Sequence, residues 1–179
     1  LPFGSYHAWR QADCISITNN LYDGSSTIFN ARTHYAKDDG TGLAVGEFPL
    51  INLLVAQVYG YFGKSDTIYR GIIYLFYLIA FVFLYLLFFE LSGQPTISSL
   101  LTLLISSSSV LVYYAINYLP DVPALSLAIV GLYWTTLAKR KKISSLYFLG
   151  VVMIFIACLI KLTLVILLGA ITLVLLMEI

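Results

Sequence analysis

Residues 46–63 read GEFPLINLLVAQVYGYFG, an apolar run that carries no charge after Glu47 until Lys64. A helix of about 15 residues is too short to cross a hydrocarbon core of about 30 Å. The run therefore predicts an amphipathic helix over residues 47–62 that lies at the membrane surface. Pro49 fits the first helical turn, where its missing N–H costs nothing. Glu47 then stands at the helix start, where the macrodipole favours an anion.

Composition places the chain in a membrane. Hydrophobic residues make up 60% of its 179 residues and charged residues 11%, with a mean hydropathy of +0.90. Soluble domains are about 45–50% apolar and about 25% charged. The net charge of +1 gives no sign of nucleic-acid binding, and Cys14 and Cys158 are too few for a disulfide framework. The chain runs from Leu1 to Ile179 without a starting Met, so we expect a fragment, open at both ends and inactive on its own.

The remaining pattern predicts an all-α integral membrane fold. Residues 1–66 are polar and turn-rich and are interpreted as a first extracytoplasmic loop, with a short helix between Tyr6 and Leu21. Residues 67–179 are interpreted as a transmembrane bundle. Its uncharged runs predict about five spans, at residues 70–90, 96–116, 121–138, 143–160 and 162–178.

A basic run gives the expected orientation. Lys139, Arg140, Lys141 and Lys142 lie together in a short loop, which should therefore stay cytoplasmic. Counting crossings from that loop places the first loop outside, in what we expect to be a bacterial inner or plasma membrane. The same count brings a set of ionisable residues to the outer face: His7, Arg10, Asp13, Glu47, Arg70, Asp121 and Lys161.

Carboxylates and cations on one face suit the transfer of a sugar from a lipid phosphate. A base must take a proton from the acceptor hydroxyl, and cations must hold the departing phosphate. Each residue also has a structural interpretation: an Arg10–Asp13 ion pair, an N-cap at Asp121, and span ends that snorkel at Arg70 and Lys161.

Metal binding is less well supported by the pattern. His7, Asp13, His34 and Glu47 match no compact metal-ligand spacing. A divalent cation shared by carboxylates and a lipid phosphate stays open.

Four motifs in register resemble the GT-C membrane glycosyltransferases, in particular protein O-mannosyltransferase-like enzymes and the aminoarabinose transferases that act on lipid A. These motifs are the acid and Arg of the first loop, the Glu-Phe-Pro-Leu at residues 47–50, the Tyr-Leu-Pro-Asp-Val-Pro at residues 118–123 and the Ile-Lys-Leu-Thr at residues 160–163. The resemblance implies an inverting transfer, on the outer face, from a polyprenyl-phosphate sugar to a hydroxyl of a glycan, lipid or protein acceptor. No covalently bound cofactor is implied.

The resemblance also implies roles for individual residues. Asp13 or His7 would be the catalytic base, Arg10 the phosphate contact and Glu47 a supporting acid, with Asp121 and Lys161 as secondary site positions. The family often has Asp-Glu where this chain has His7-Ala8, so the choice between His7 and Asp13 stays open.

Three other functions compete with this interpretation. A transporter or lipid flippase would carry ionisable residues at mid-span and inverted repeats, neither of which the pattern shows. A membrane scaffold without catalysis would tolerate substitution of Asp13 and Glu47. A glycan ligase or polymerase would keep the fold and use a diphosphate-linked donor.

Overall fold

The computed structural model describes residues 7–34, 41–44 and 47–170, and these ranges contain helices and no strand. In chain order the helices are α1 (Ala8–Tyr22), α2 (Leu50–Phe62), α3 (Asp66–Ser92), α4 (Pro95–Ser106), α5 (Ser109–Ala115), α6 (Asp121–Lys141) and α7 (Ser144–Ile160), followed by a 3-10 turn, Leu162–Leu164. The all-α class is therefore confirmed. The described part of the loop between α1 and α2 has two isolated bridges, Thr27 with Asn30 and Arg32 with Leu43.

Membrane character is supported by α3 and α6, which are long and apolar enough to span a bilayer. At 1.5 Å per residue, α3 is about 40 Å long and α6 about 31 Å. The pair α4 and α5 would form a third span if counted as one, although it bends by 69° at the break. Five spans are not confirmed, because α7 has only 17 residues, about 25 Å, and residues 171–179 of the fifth lie outside the described residues.

Serine side chains coincide with the bend between α4 and α5. Residues 106–109 are all serine, and Ser107 and Ser108 lie between the two helices. The hydroxyl of Tyr77 on α3 donates to the carbonyl of Ser106 at 2.9 Å. A carbonyl freed by the break is thus satisfied by a side chain, as broken helices in apolar surroundings require.

The surface helix begins later than the sequence predicts. Helix α2 starts at Leu50, and Pro49 is its N-cap with a non-helical ψ of 45°. Glu47 therefore lies outside the helix, and its assignment to the helix start was wrong. The physical reason is a tertiary contact: the backbone N–H of Phe48 donates to the carbonyl of Leu159 at 3.2 Å, which holds this segment against the end of α7.

The core joins the first loop to the bundle. Helix α2 buries Ile51, Val55 and Tyr59 on one face, and these side chains pack with Tyr69 and Ile73 of α3. Burial of such apolar side chains contributes about 1.5–3 kcal/mol each. The loop helices are therefore packed onto the same end of the bundle where α3 and α6 begin.

The opposite end of the bundle is marked by another ion pair. Arg140, in the last turn of α6, donates to Glu90, near the end of α3, at 2.9 Å. Asp121 and Arg140 lie at opposite ends of α6. The basic run lies in the last turn of α6, with only Lys142 beyond the helix, and not in a short loop as the sequence predicts. The turn after α3 and this basic run therefore share one end of the bundle.

Candidate functional site

Four charged side chains meet where the first loop packs on the bundle. Arg10 Nη2 lies 3.4 Å from both carboxylate oxygens of Glu47 and 3.2 Å from Asp121 Oδ2. Lys161 Nζ forms an ion pair with Glu47 and lies 2.9 Å from Asp121 Oδ1. The two cations and two acids thus alternate in a closed arrangement, which we call the ionic ring (Arg10, Glu47, Asp121 and Lys161).

Each member of the ring comes from a different part of the chain. Arg10 lies on the first turn of α1 and Glu47 on the segment before α2. Asp121 is the first residue of α6, and Lys161 directly follows α7. The contact of Phe48 with Leu159 sets Glu47 beside Lys161, two residues further along the chain from Leu159. Tertiary packing, and no local motif, therefore assembles the ring.

The structural interpretations offered for these residues are wrong in three cases. Arg10 pairs with Glu47 and Asp121 instead of Asp13. Asp121 is the first helical residue, and Pro120 takes the N-cap position. Lys161 does not simply snorkel, because its ammonium meets two carboxylates.

The ring is only partly screened from water. Side-chain exposure is 20% for Lys161, 21% for Arg10, 24% for Asp121 and 33% for Glu47. Such pairs are less screened by salt than fully exposed ones. Glu47 is the acid of the ring that solvent or a substrate reaches most easily.

The electrostatics of the ring keep Lys161 protonated. Burial lowers the pKa of Lys161, but hydrogen bonds to Glu47 and Asp121 outweigh burial and leave the pKa above its usual 10.5. A group whose pKa is raised in the folded protein stabilises the fold at any pH below its pKa in the unfolded chain. This stabilisation is lost as the pH rises through the pKa of the folded protein. Lys161 therefore remains a cation at every physiological pH.

Arg10 has donor capacity left over. Its contacts to both acids use Nη2. Within the described residues, Nη1 and Nε make no hydrogen bond. Because a guanidinium presents five N–H donors in a planar fork, a further anion can bind Arg10 through these two nitrogens.

Two cavities flank the ring. Glu47 and Lys161 line one of about 610 Å³, whose walls are mainly apolar and include Phe29, Phe48 and Leu162. Asp121 lines another of about 400 Å³, with Leu111 and Tyr114 among its walls. The two cavities share no lining residue, and each includes at least one acid of the ring.

A buried polar network links α1, α2 and α3. Asn52 Nδ2 donates to the carbonyl of Cys14 at 2.7 Å, and Thr18 Oγ1 and the Tyr69 hydroxyl lie within 3.2 Å of the same nitrogen. The Tyr69 hydroxyl donates onward to the carbonyl of Tyr118 at 3.3 Å. The sequence pattern does not predict this network, although Asn52 is a lone amide on the buried face of an apolar helix.

The other predicted site residues lie apart from the ring. His7 is the exposed N-cap of α1, in a left-handed conformation, with its ring centroid 6.1 Å from that of Tyr114. Asp13 is half-buried on α1, and its carboxylate makes no ion pair within the described residues. Arg70 contacts Tyr118 and lines a separate cavity. In the described part of the chain, no group of three or more His, Cys, Asp and Glu residues is placed to hold a metal.

Comparisons with protein families, curated proteins and solved structures find no match to this chain.

Proposed function

We propose that this protein takes part in the transfer of a sugar from a polyprenyl-phosphate donor to an acceptor hydroxyl on the outer membrane face, as an inverting GT-C type glycosyltransferase. The observation that carries the proposal is the ionic ring, which sets two cations and two carboxylates between two cavities at one end of an apolar bundle. A lipid-linked sugar phosphate needs cations at its head group and apolar surface for its tail.

Arg10 and Lys161 would hold the donor phosphate. Within the described residues, Arg10 Nη1 and Nε have no hydrogen-bond partner, and Lys161 stays charged. Phosphate oxygens compete well for such donors, because charge-assisted hydrogen bonds are the stronger ones. Binding would loosen the contact of these cations with Glu47, whose carboxylate would then be available to take a proton.

The chemical step follows from this arrangement. The acceptor hydroxyl gives its proton to the base as its oxygen attacks the anomeric carbon, and the bond from that carbon to the phosphate oxygen breaks. The products are a glycosylated acceptor and polyprenyl phosphate. Negative charge develops on the departing phosphate, and Arg10 and Lys161 stabilise it there.

Glu47 is the base that the geometry supports best. It is the most exposed ring member and lines the larger cavity. Asp13 and His7, which the family resemblance implies, are the alternatives. Asp121 would hold the two cations in place from the opposite side, next to the smaller cavity.

The first test is sugar release from a radiolabelled polyprenyl-phosphate sugar by the full-length protein in detergent. We expect acceptor-dependent release that leaves polyprenyl phosphate as the second product. Several donors should be compared, including a diphosphate-linked one. Preference for the diphosphate donor would identify a ligase or polymerase, and no release together with donor flux in vesicles would establish a transporter.

The proposed orientation is tested by thiol labelling. We expect Thr27→Cys to react with a membrane-impermeant maleimide on intact cells and Gln94→Cys to react only after lysis. The native thiols give a low background, because burial raises the pKa of Cys14 to about 12 and Cys158 is buried. If only Gln94→Cys reacts on intact cells, the protein has the opposite orientation to the proposed one.

A further inference from the structure

Arg70 lines a cavity that is distinct from both cavities at the ionic ring. Its volume is about 590 Å³, and its lining residues are Asp66, Thr67, Arg70, Gly71, Tyr74 and Ile116. None of these residues lines either cavity at the ring. The ionic ring therefore does not account for this cavity, which we call the Arg70 cavity.

Arg70 is held firmly but has no carboxylate partner. Its guanidinium carbon lies 4.7 Å from the ring centroid of Tyr118, whose side chain is 3% exposed. Its Nε is buried and makes no hydrogen bond. Arg10, Lys64, Arg140 and Lys161 each pair with a carboxylate, but within the described residues Arg70 has none at ion-pair distance.

Leaving such a group unpaired is costly. A part-buried cation loses hydration, and the loss is made good only by an anion or by hydrogen-bond acceptors. A planar guanidinium suits phosphate and carboxylate oxygens best. The Tyr118 side chain accepts a hydrogen bond from the guanidinium, but the buried Nε has no acceptor among the described residues. An anionic group in the cavity would supply that acceptor.

The position of the cavity indicates the source of that anion. Asp66 is the first residue of α3, a helix long and apolar enough to span the membrane. The cavity lies in the first turns of that helix. If α3 crosses the bilayer, its first turns lie at the depth of the lipid head groups. Tyr74 and Ile116 give it walls that are 45% and 39% exposed, against which an acyl chain can pack.

We propose that the Arg70 cavity binds the head group of a membrane phospholipid, with the phosphoryl group on Arg70. Asp66 lines the same cavity and carries a negative charge that opposes a purely anionic ligand. A zwitterionic ethanolamine head group meets both charges, with its phosphate toward Arg70 and its ammonium toward Asp66. The cavity should therefore prefer phosphatidylethanolamine to phosphatidylglycerol.

The test is native mass spectrometry of the full-length protein in a phosphate-free detergent, with each lipid added separately. We expect Arg70→Gln to weaken phosphatidylethanolamine binding by about tenfold or more, since hydrogen bonds to charged groups contribute about 1.5–3 kcal/mol. Lys64→Gln is the matched control, because it removes one cation near the start of the same helix and should leave binding unchanged. Equal binding by Arg70→Gln and the unaltered protein would refute the site.

A second variant and a competition experiment make the test decisive. If Arg70→Gln does not fold, Arg70→Lys retains the charge and loses the guanidinium fork, and it should still bind the lipid less tightly. Soluble phosphoethanolamine competing as well as the lipid would show that the head group alone is recognised, and a failure of either molecule to bind would overturn the proposal. No sugar donor is present, so the result is independent of the proposed transferase activity.

Discussion

Replacing Glu47 by Gln is expected to lower sugar transfer by about 100-fold or more, the usual scale for a lost acid–base or electrostatic group. The amide keeps the size of the side chain but can no longer accept a proton. It also removes one of the two negative charges that hold Arg10 and Lys161 in the ring. Both effects act on the reacting groups, while the apolar walls of the cavity remain.

The measurement has to separate proton transfer from loss of structure. The pH dependence of kcat/KM should lose its acidic limb in Glu47→Gln if this carboxylate is the base, because that limb reports the free enzyme's essential base. Glu90→Gln is the matched control: Glu90 also pairs with an arginine of another element, but at the far end of the bundle. We expect Glu90→Gln to keep transfer close to that of the unaltered protein.

Asp13→Asn decides between the candidate bases. If it abolishes transfer while Glu47→Gln spares it, the base is Asp13 and the ring has only a supporting role. If His7→Gln alone removes the acidic limb, the base is His7. Near-normal turnover in all three variants would contradict the site as a whole.

Long apolar runs made the helices predictable from sequence. The predicted spans at residues 70–90 and 121–138 correspond to α3 and α6, which extend slightly further. The predicted helix between Tyr6 and Leu21 corresponds to α1, Ala8–Tyr22. In the two spans a continuous apolar pattern specifies the helix, and only its ends depend on the surroundings. Helix α1 has no such pattern, and the side chains that it buries are polar, among them Gln11, Thr18 and Asn20.

Contacts between distant segments were less predictable. Arg10 has an acid three residues away in Asp13, yet it pairs with Glu47 and Asp121, which lie 37 and 111 residues away. The span count could place these residues on one membrane face but gave no distances between them. Arg70 was expected on the same face, and the structure places it in a different cavity, with its guanidinium 4.7 Å from the ring centroid of Tyr118.

The packing of α6 on α7 also depends on two glycines that the sequence pattern does not distinguish from others. A Cβ added at Gly150 would lie 2.7 Å from the carbonyl oxygen of Gly131 and 2.8 Å from the backbone nitrogen of Thr135. Both are backbone atoms, which cannot move aside as a flexible side chain can. Small residues of this kind let membrane helices approach closely.

Gly150→Ala is therefore expected to destabilise the bundle, even though alanine favours a helix more than glycine does. Overpacking of this kind costs about 1–3 kcal/mol, which corresponds to a fall in Tm of about 2–12 °C for a chain of this size. Thermal unfolding of the purified full-length protein measures the change. Gly71→Ala is the matched control, because a Cβ at this position meets nothing within 4 Å. The Tm of the Gly71→Ala variant should stay the same or rise slightly. An unchanged Tm in Gly150→Ala would mean that α6 and α7 lie farther apart than in the structure. Because Asp121 begins α6 and Lys161 follows α7, their 2.9 Å contact would then not be supported.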